Sequence, residues 1–504
     1  MLSQSPHAAL AMDGQAEYPE PPFHPPERLP EFKDSWLSRG PFDPANRVYK
    51  LVREALFRLV GGYDTRTGRV DLAALRGLGQ PRNIVIKPNW VRQEDDATRG
   101  CMITHASVLR TIIDYLFLAF GEQCNITVGD VPLQSTNIAE LWRDSGIDLL
   151  SGYYEAKGLA VSFRDWRREK ILMDPSGFIS NREPLAGDPR GYVALSLGSD
   201  SLLEAITHAE SRFSVNDYEP GMAACYHRRG EHGYLISRSA LEADLFINVA
   251  KLKTHCKAGM TGCMKNLIGI NGEKAWIPHF RRGAPRDGGD EYPNQHRRAM
   301  MLRGHVREAL QHTNRRLFAS MQAIWQVYKR SVEMTSRSQM TSGGAWPGND
   351  TLWRSVLDLV RIITFADKEG RLCERPQRRQ LCFIDGIVAG EGEGPLQASR
   401  RRMGLVIAAY APAVADYAAC HIMGFDWTRI PQLKNAPAMS SFHDERAACP
   451  RDVTVSWWGV EGTGDGIADL PVTKLIPPAQ WKGMVELSQS ADRRPAEAVI
   501  SRCQ

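Results

Sequence analysis

The sequence contains no Cys-x-x-Cys pair, although ten cysteines are scattered over its 504 residues. This absence argues against a zinc ribbon, a ferredoxin-type cluster and a disulfide framework, so we expect no iron–sulfur cluster and a reducing cytoplasm. No apolar run approaches the roughly 20 residues that span a bilayer. Residues 1–13 lack the basic start and the continuous apolar core of a signal peptide. We therefore expect a cytoplasmic protein that has no membrane partner.

The composition, 43% hydrophobic and 24% charged residues, is that of an ordinary globular protein. Apolar runs at residues 83–87, 125–130 and 159–166 predict short buried strands, and residues 105–120 and 138–150 between them have helical spacing. Strands that alternate with helices predict a parallel sheet with right-handed crossovers. The sequence thus predicts an α/β fold, with a mixed, mostly parallel open sheet, helices on both faces, a β-rich elaboration and a helical insertion.

We predict four regions along the chain. Residues 1–46 form a Pro-rich N-terminal arm that lies over the surface or contacts another subunit, and residues 47–269 and 344–430 form the α/β core. Residues 270–343 form a basic loop and a helical insertion, and residues 431–504 a C-terminal extension. The inserted helix or helix pair has apolar positions at helical spacing, which fits a lid over a ligand site or a helix that binds a partner. A homo-oligomer is one option.

One basic segment organises the expected ligand site. The apolar strand Leu245–Val249 is followed by Lys251, Lys253 and His255 at a spacing of two, which places all three on one side of an extended chain. A Gly-rich turn then leads into a predicted helix over Met260–Ile268. Free backbone N–H groups at a helix start, together with nearby Lys side chains, bind phosphate or carboxylate.

Charge counting supports an anion site in this segment. Residues 251–286 contain eight Lys or Arg and one acidic residue, Glu273, for a net charge of +7, whereas the whole chain carries +5. The alternative is an ordinary solvated basic loop. Nucleic-acid binding is not expected, because the basic residues form one local cluster and the sequence contains no reader motif.

Polar residues at the ends of other predicted strands are expected to join this site. Lys87 and Asn89 flank a proline that ends the first core strand and fixes the direction of the turn. Thr104 is the expected N-cap of the next helix, and His105 lies in the first turn of that helix. Asp130 ends a second strand. Each of these residues has an ordinary structural alternative as a cap or a core group.

A separate group of residues is acidic. Asp385 ends another buried strand, and Glu391 and Glu393 follow in a Gly-rich turn. With Asp130, these carboxylates could bind Mg²⁺ or Mn²⁺ beside an anionic substrate. The alternative is that they neutralise the Lys cluster as ion pairs, since no spacing here is specific for a metal ion.

Several motifs together resemble a known family. They are Ile84–Asn89, Ile103–His105, Ile247–His255, Gly259–Gly269 and Phe383–Pro395. This set is similar to the DUF362 family, whose function is uncharacterised, although Ala106 stands where that family has Pro. The likeness spans roughly residues 80–270 and 344–425. Some members of the family carry an added iron–sulfur domain, which implies redox chemistry, but this chain lacks the cysteines for it.

We predict an enzyme that acts on a small phosphate- or carboxylate-bearing substrate, and sugar-linked anions are among the candidates. Lys and His residues would supply acid–base chemistry, and assistance by a metal ion is an option. Isomerisation, group transfer and hydrolysis all fit. The expected catalytic residues are Lys253, His255, Lys265 and Asp130. The expected substrate-binding residues are Lys87, Asn89, Thr104, His105, Lys251, Thr261, Gly262 and Asn266, and the expected metal ligands are Asp385, Glu391 and Glu393. The alternatives are a binding protein without turnover and, last, a metal-dependent redox protein.

Overall fold

The computed structural model describes residues 7–208, 212–216, 218, 221–310, 314–336, 340–437, 450, 453–458 and 466–488. Its strands are β1 His7–Met12, β2 Asn83–Lys87, β3 Asn125–Asp130, β4 Val161–Asp165, β5 Glu169–Met173, β6 Ile179–Pro184, β7 Tyr192–Ser196, β8 Phe213–Ser214, β9 His227–Arg228, β10 Glu231–Ser237, β11 Leu245–His255, β12 Gly259–Thr261, β13 Phe280–Arg281, β14 Arg379–Glu393, β15 Gln397–Ala409 and β16 Thr454–Trp458. Its helices are α1 Arg47–Leu59, α2 Leu72–Arg76, α3 Ala106–Phe120, α4 Ile138–Asp144, α5 Ile147–Glu155, α6 Arg238–Leu241, α7 Cys263–Asn266, α8 Arg297–Leu310, α9 Arg315–Ser336, α10 Leu352–Phe365, α11 Pro412–Ile422 and α12 Pro431–Asn435.

One large mixed sheet runs through the protein in the order β16-β1-β15-β14-β11-β2-β3-β4. From β14 to β4 every neighbouring pair is parallel, and β1 and β16 are parallel at the other edge. β15 runs antiparallel to both of its neighbours, and β12 folds back antiparallel on the end of β11. This arrangement confirms the predicted fold class.

Side chains of β11 alternate between two cores, because successive residues of a strand point to opposite faces of the sheet. Leu245 and Ile247 pack in one core with α1, α3 and α5, whereas Phe246 and Ala250 pack in the other with α10 and α11. Helices therefore cover both faces of the sheet, which explains the continuous apolar run in this strand.

The predicted β-rich elaboration and helical insertion lie outside the large sheet. The elaboration contains the hairpin β5-β6 and the small sheet β7-β10-β9. The insertion begins with β13, which pairs with β8, and continues into the helix pair α8 and α9. Among the helices that the structure describes, none is both long and apolar enough to cross a bilayer.

The N-terminal region packs more closely than the sequence suggested, over the residues that the structure describes. β1 lies inside the large sheet, between β15 and β16. Within the segment predicted as an extended arm, Phe23, Phe32 and Leu37 are buried in the core that contains α1. The segment also contains two short 3-10 helices, Pro30–Phe32 and Trp36–Arg39, and its interspersed apolar side chains reach the core. The division of the chain into domains stays a prediction.

Two predicted helix starts are corrected by the structure. The N-cap of α3 is His105, not Thr104, because His105 Nδ1 accepts a hydrogen bond from the N–H of Ser107 at 3.2 Å. The helix predicted from Met260 to Ile268 is reduced to α7, followed by a 3-10 turn. Residues 259–261 are strand instead, because their backbone groups pair with the end of β11.

Candidate functional site

The tight turn between β11 and β12 positions the basic residues of the segment. Lys253 pairs with Thr261, and His255 pairs with Gly259, so the chain reverses over only three residues. Gly259 has φ = +78°, and an added Cβ would lie 2.5 Å from Ile430. Glycine suits this left-handed, closely packed position, and other residues would be strained there. The turn therefore fixes the end of the central strand.

The backbone N–H groups predicted to bind an external anion already bind a carboxylate of the protein. Asp416, in α11, accepts hydrogen bonds from the N–H of Cys263 at 2.5 Å and from the N–H of Met264 at 3.0 Å. Burial raises the pKa of this carboxyl to about 7. The helix that follows, α7, is only one turn long. These N–H groups are thus not available to a ligand, which corrects the prediction of an anion site at a helix start.

A buried polar cluster lies where β2 and β3 end. Lys87 Nζ lies 2.6 Å from Asp130 Oδ1 and donates to Asn266 Oδ1 at 2.9 Å. Asn266 in turn donates to Asn248 at 2.8 Å and accepts from Asn89 at 3.0 Å. The structure therefore brings together four predicted site residues, but they bind one another. Their arrangement fixes α7 against β2 and β3, which is a positioning role.

Lys253 is fully buried and hydrogen-bonded. Its ammonium donates to Asn89 Oδ1 at 2.6 Å and to the carbonyl oxygen of Met102. Burial, followed by the charges of Lys251 and Lys265, lowers the pKa of Lys253 to about 7. Lys253 can therefore exchange a proton near neutral pH, but its ammonium is buried and hydrogen-bonded to Asn89, and it is not exposed at a surface.

Lys251 is paired with Asp385 at 3.1 Å, and both side chains are fully buried. The hydroxyl of Tyr18 joins this pair, since it donates to Asp385 at 2.6 Å and accepts from Lys251 at 2.5 Å. The ring of Tyr18 stacks on His105 with the centroids 3.8 Å apart. Burial, opposed by Asp385, lowers the pKa of His105 to about 3. His105 is thus a neutral packing and capping group.

The three residues predicted to bind a metal ion do not come together. Asp385 belongs to the ion pair above, whereas Glu391 and Glu393 accept from the backbone N–H groups of Ile476 at 3.0 Å and Ala479 at 2.7 Å. Because β14 stays extended, the Asp385 and Glu391 Cα atoms are separated by roughly 20 Å at about 3.3 Å per residue. No group of three His, Cys, Asp or Glu suited to a metal ion occurs in the described part of the chain. The metal assignment is therefore corrected, and the ion-pair alternative holds for Asp385.

Four basic side chains, His255, Lys257, Lys265 and His279, lie together after the end of β11, and we call them the basic pocket. Burial, then Lys265 and Lys257, lowers the pKa of His255 well below its ordinary value. Burial and the same two lysines have this effect on His279. Burial and Lys257 lower the pKa of Lys265 to about 8. The half-buried Lys265 ammonium makes no hydrogen bond or ion pair among the described residues.

The two histidines of the pocket are held as different tautomers. His255 Nδ1 accepts from the N–H of Lys257 at 3.1 Å, so neutral His255 carries its proton on Nε2. His279 Nδ1 lies 2.9 Å from the carbonyl oxygen of Ile277, which can only accept, so neutral His279 has an unprotonated Nε2. The ring of His255 can donate a hydrogen bond through Nε2, and the ring of His279 can accept one there.

The remaining predicted binding residues have different roles. The Thr104 hydroxyl bridges backbone groups of β11 and of the loop after β2. Gly262 leaves room for Asp416, since an added Cβ would overlap the carboxylate. Thr261 is buried, and its hydroxyl has no hydrogen-bond partner within the described residues. Because residues opposite each other in a ladder share a face, Thr261 lies on the same face as Lys253.

Sequence reasoning missed four residues of this region. Lys257 lies in the basic segment that the charge count identified, so its position was a usable signal. His279 lies near the start of the predicted insertion, residues 270–343, and no local pattern distinguishes it from a core histidine. Tyr18 is 233 residues from the lysine that it contacts, and Asp416 is 153 residues from the first N–H that it binds. Only the tertiary fold brings such distant residues together.

A cavity of about 440 Å³ lies in the insertion next to the basic pocket. Its wall includes the aromatic residues Tyr218, Phe280 and Tyr292 as well as Arg282. Phe280 links the two spaces, because Lys257 Nζ lies 5.5 Å from the centroid of its ring. The basic pocket and the cavity are therefore neighbours that share Phe280.

Residues 208–421 match the family described as domain of unknown function DUF362, which confirms the resemblance. The motifs at residues 84–89 and 103–105 lie before the matched segment. No curated protein matches the chain. Among solved structures, the chain is similar to a Thermotoga maritima protein determined by the Northeast Structural Genomics Consortium, at 12% identity and a TM-score of 0.30 over 69% of this chain. It is also similar to the lactate racemase apoprotein of Thermoanaerobacterium thermosaccharolyticum, at 14% identity and a TM-score of 0.28 over 75% of this chain. The chain spans 56% and 55% of the lengths of these two proteins.

Proposed function

We propose that this DUF362 protein is an enzyme that binds a small phosphate- or carboxylate-bearing substrate in the basic pocket, with Lys265 and His279 as its acid–base groups. The proposal rests chiefly on Lys265. A half-buried ammonium surrounded by other basic groups is unfavourable until an anion joins it, because burial and like charges both oppose the charged form. A phosphate or carboxylate would relieve this repulsion.

The proton positions in the pocket fit acid–base chemistry. Lys265, with a pKa of about 8, is part protonated at neutral pH and can give or take a proton. Once a bound anion offsets the charges of Lys257 and Lys265 that lower its pKa, the unprotonated Nε2 of His279 can accept a proton. The Nε2–H group of His255 can donate a hydrogen bond to the bound anion. Proton transfer at the substrate is common to isomerisation, group transfer and hydrolysis, so the reaction class is left open.

The adjoining cavity supports a substrate larger than a bare anion. Its volume of about 440 Å³ falls within the roughly 300–1,000 Å³ typical of ligand pockets. Aromatic residues in its wall suit the face of a sugar or a base. Sugar phosphates and nucleotide sugars are therefore the first substrates to assay.

The experiment is a thermal-unfolding screen with inorganic phosphate, sugar phosphates, nucleotide sugars and carboxylates at low salt. A ligand at a hundred times its dissociation constant adds about 2.7 kcal/mol of stability, which for 504 residues is a shift of about 2–3 °C. We expect one anion class to stabilise the wild type and Lys368→Met, an exposed control, but not Lys265→Met.

A screen in which no anion stabilises the wild type, or in which Lys265→Met responds equally, would contradict the proposal. If the best anion binds but no product forms from it in a turnover assay, the protein is a binding protein for that anion class. Turnover that survives in Lys265→Met but not in His279→Asn would assign the acid–base role to His279 alone.

A further inference from the structure

Helix α9 leaves one long apolar face exposed. Its large exposed residues are Leu317 at 54%, Ile324 at 71%, Val327 at 67%, Tyr328 at 41% and Met334 at 84% exposure. At about 100° per residue they fall within an arc of roughly 120°. Ser320, Ser331 and Thr335 lie in the same arc, and Arg316 lies at its edge, at the same angle as Met334. Surface helices of globular proteins usually place their polar residues outward, so this exposed face resembles one that a partner covers.

The opposite side of the apolar surface holds α9 in place. Phe318 is fully buried and packs edge-on against Phe178, with the centroids 5.7 Å apart. Trp325 and Val332, each seven residues further along, pack on the small core of the insertion. The helix is thus docked on the body by the row 318, 325 and 332. The exposed apolar residues lie beside this row on the helix surface.

Six residues of this arc form a symmetric pattern along the helix, and the exposed Tyr328 lies at its border. In order they are Leu317, Ser320, Ile324, Val327, Ser331 and Met334, and we call this set the α9 stripe. The spacings between them are 3, 4, 3, 4 and 3 residues, which read the same in both directions. The side chains are also similar in pairs. Leu317 and Met334 are large apolar residues at the two ends, the next positions inward are both serine, and Ile324 and Val327 in the middle are both β-branched. Spacings of three and four are those of a coiled-coil seam.

We propose that the α9 stripe binds the α9 stripe of a second copy of this chain, with the helices antiparallel and a twofold axis between Ile324 and Val327. A twofold interface brings the same patch of both copies together, so it requires a self-complementary surface. In this register Leu317 contacts Met334 of the other copy, serine faces serine, and Ile324 contacts Val327. A membrane or an unrelated helix would need no such symmetry.

The charges beside the stripe are compatible with this pairing. Arg316 and Arg330 are the basic residues that border it. In the antiparallel register Arg316 lies opposite Thr335 and Arg330 opposite Met321, so the two arginines do not meet. The paired length from residue 317 to residue 334 is about 26 Å at 1.5 Å per residue. The six residues of the α9 stripe are far fewer than the roughly 20–30 residues a side of stable complexes, so we expect a reversible dimer in the micromolar range.

The first test is the molar mass of the full chain by sedimentation equilibrium over a series of micromolar concentrations. The wild type should approach twice the monomer mass, and Ile324→Glu should weaken dimerisation at least about 100-fold, because it places like charges together at the axis. The control Gln326→Glu adds the same charge to the exposed far side of α9 and should leave the dimer intact. Since Ile324 is exposed, its variant should keep the wild-type circular dichroism and melting temperature.

The second test fixes the register by disulfide cross-linking. Leu317→Cys and Met334→Cys, oxidised separately, should remain monomeric on a denaturing gel like the oxidised wild type, and an equal mixture of the two should form a covalent dimer. Cross-linking of each variant with itself would indicate parallel helices and overturn the proposal. The proposal would also be overturned by a wild type that is monomeric, or by a Gln326→Glu variant that weakens dimerisation as much as Ile324→Glu does. Binding of the monomer to anionic vesicles through the stripe would overturn it as well.

Discussion

Lys265→Met removes the charge of the basic pocket while keeping a side chain of similar length. A charged lysine in this position is expected to destabilise the free protein, because the ammonium is half-buried among other basic groups. We therefore predict that the variant is more stable than the wild type when no anion is bound. An ordinary structural lysine with a carboxylate partner would give the opposite result.

The magnitude follows from the pKa of Lys265, which falls from 10.5 to about 8 on folding. At about 1.36 kcal/mol per pKa unit this difference amounts to about 3 kcal/mol at most. Partial contact with water screens some of it, so we expect about 1–2 kcal/mol. Because the pKa is lower in the folded state, the penalty is fully present below pH 8 and disappears as the pH rises to 10.5.

The assay is thermal unfolding of both proteins at pH 7 and pH 10 in buffers free of phosphate and carboxylate. For a chain of 504 residues, 1–2 kcal/mol corresponds to a shift of about 1–2 °C. The variant should melt higher at pH 7, and the difference should close at pH 10. A variant that melts lower than the wild type by the same amount at both pH values would refute the electrostatic reasoning for this pocket.

Two further predictions concern the scaffold around the pocket. Asp416→Asn turns an NH₂ group toward one of the two backbone N–H groups of α7, which then has no acceptor. The free energy of unfolding, measured with urea at pH 8, should therefore fall by about 1–3 kcal/mol. This loss should grow as the pH falls below 7, because the folded wild-type carboxyl takes up a proton there while the unfolded one stays ionised, and a loss that is independent of pH would contradict the proposed cap. Gly269→Ala should destabilise by about 3 kcal/mol or more, since its Cβ would overlap Asp130. The control is Gly304→Ala in α8, where the added Cβ meets open space. This variant should stabilise the protein by about 0.5–1 kcal/mol. Equal effects of the two substitutions would exclude close packing at Gly269.

Much of the fold could be predicted because its signals are local. The apolar run Leu245–Val249 and its counterparts in β2, β3 and β14 mark strands buried on both faces, and helices with clear apolar periods lie between them. The order of these elements implies a parallel sheet. The pairing of β1 with β15 depends on residues about 400 apart, and no local pattern contains that information.

The candidate site was predictable in its location but not in the roles of its residues. Lys87, Lys251 and Lys265 look alike in the sequence, yet Lys87 and Lys251 each have a buried aspartate partner, and Lys265 has none among the described residues. The partner determines whether a buried lysine is structural or available to a ligand. The predicted helix start failed for the same reason, because Asp416 supplies an internal anion from α11.

The most direct test of the anion site is the number of protons taken up when the best anion binds. Calorimetric titrations at pH 8 in two buffers with different ionisation enthalpies measure this number. With Lys265 half protonated at this pH, its full protonation on anion binding should draw in up to about half a proton, and Lys265→Met should show neither the heat of binding nor the uptake. Binding without proton uptake, or uptake that is unchanged in the variant, would contradict the assignment of the basic pocket as the substrate site.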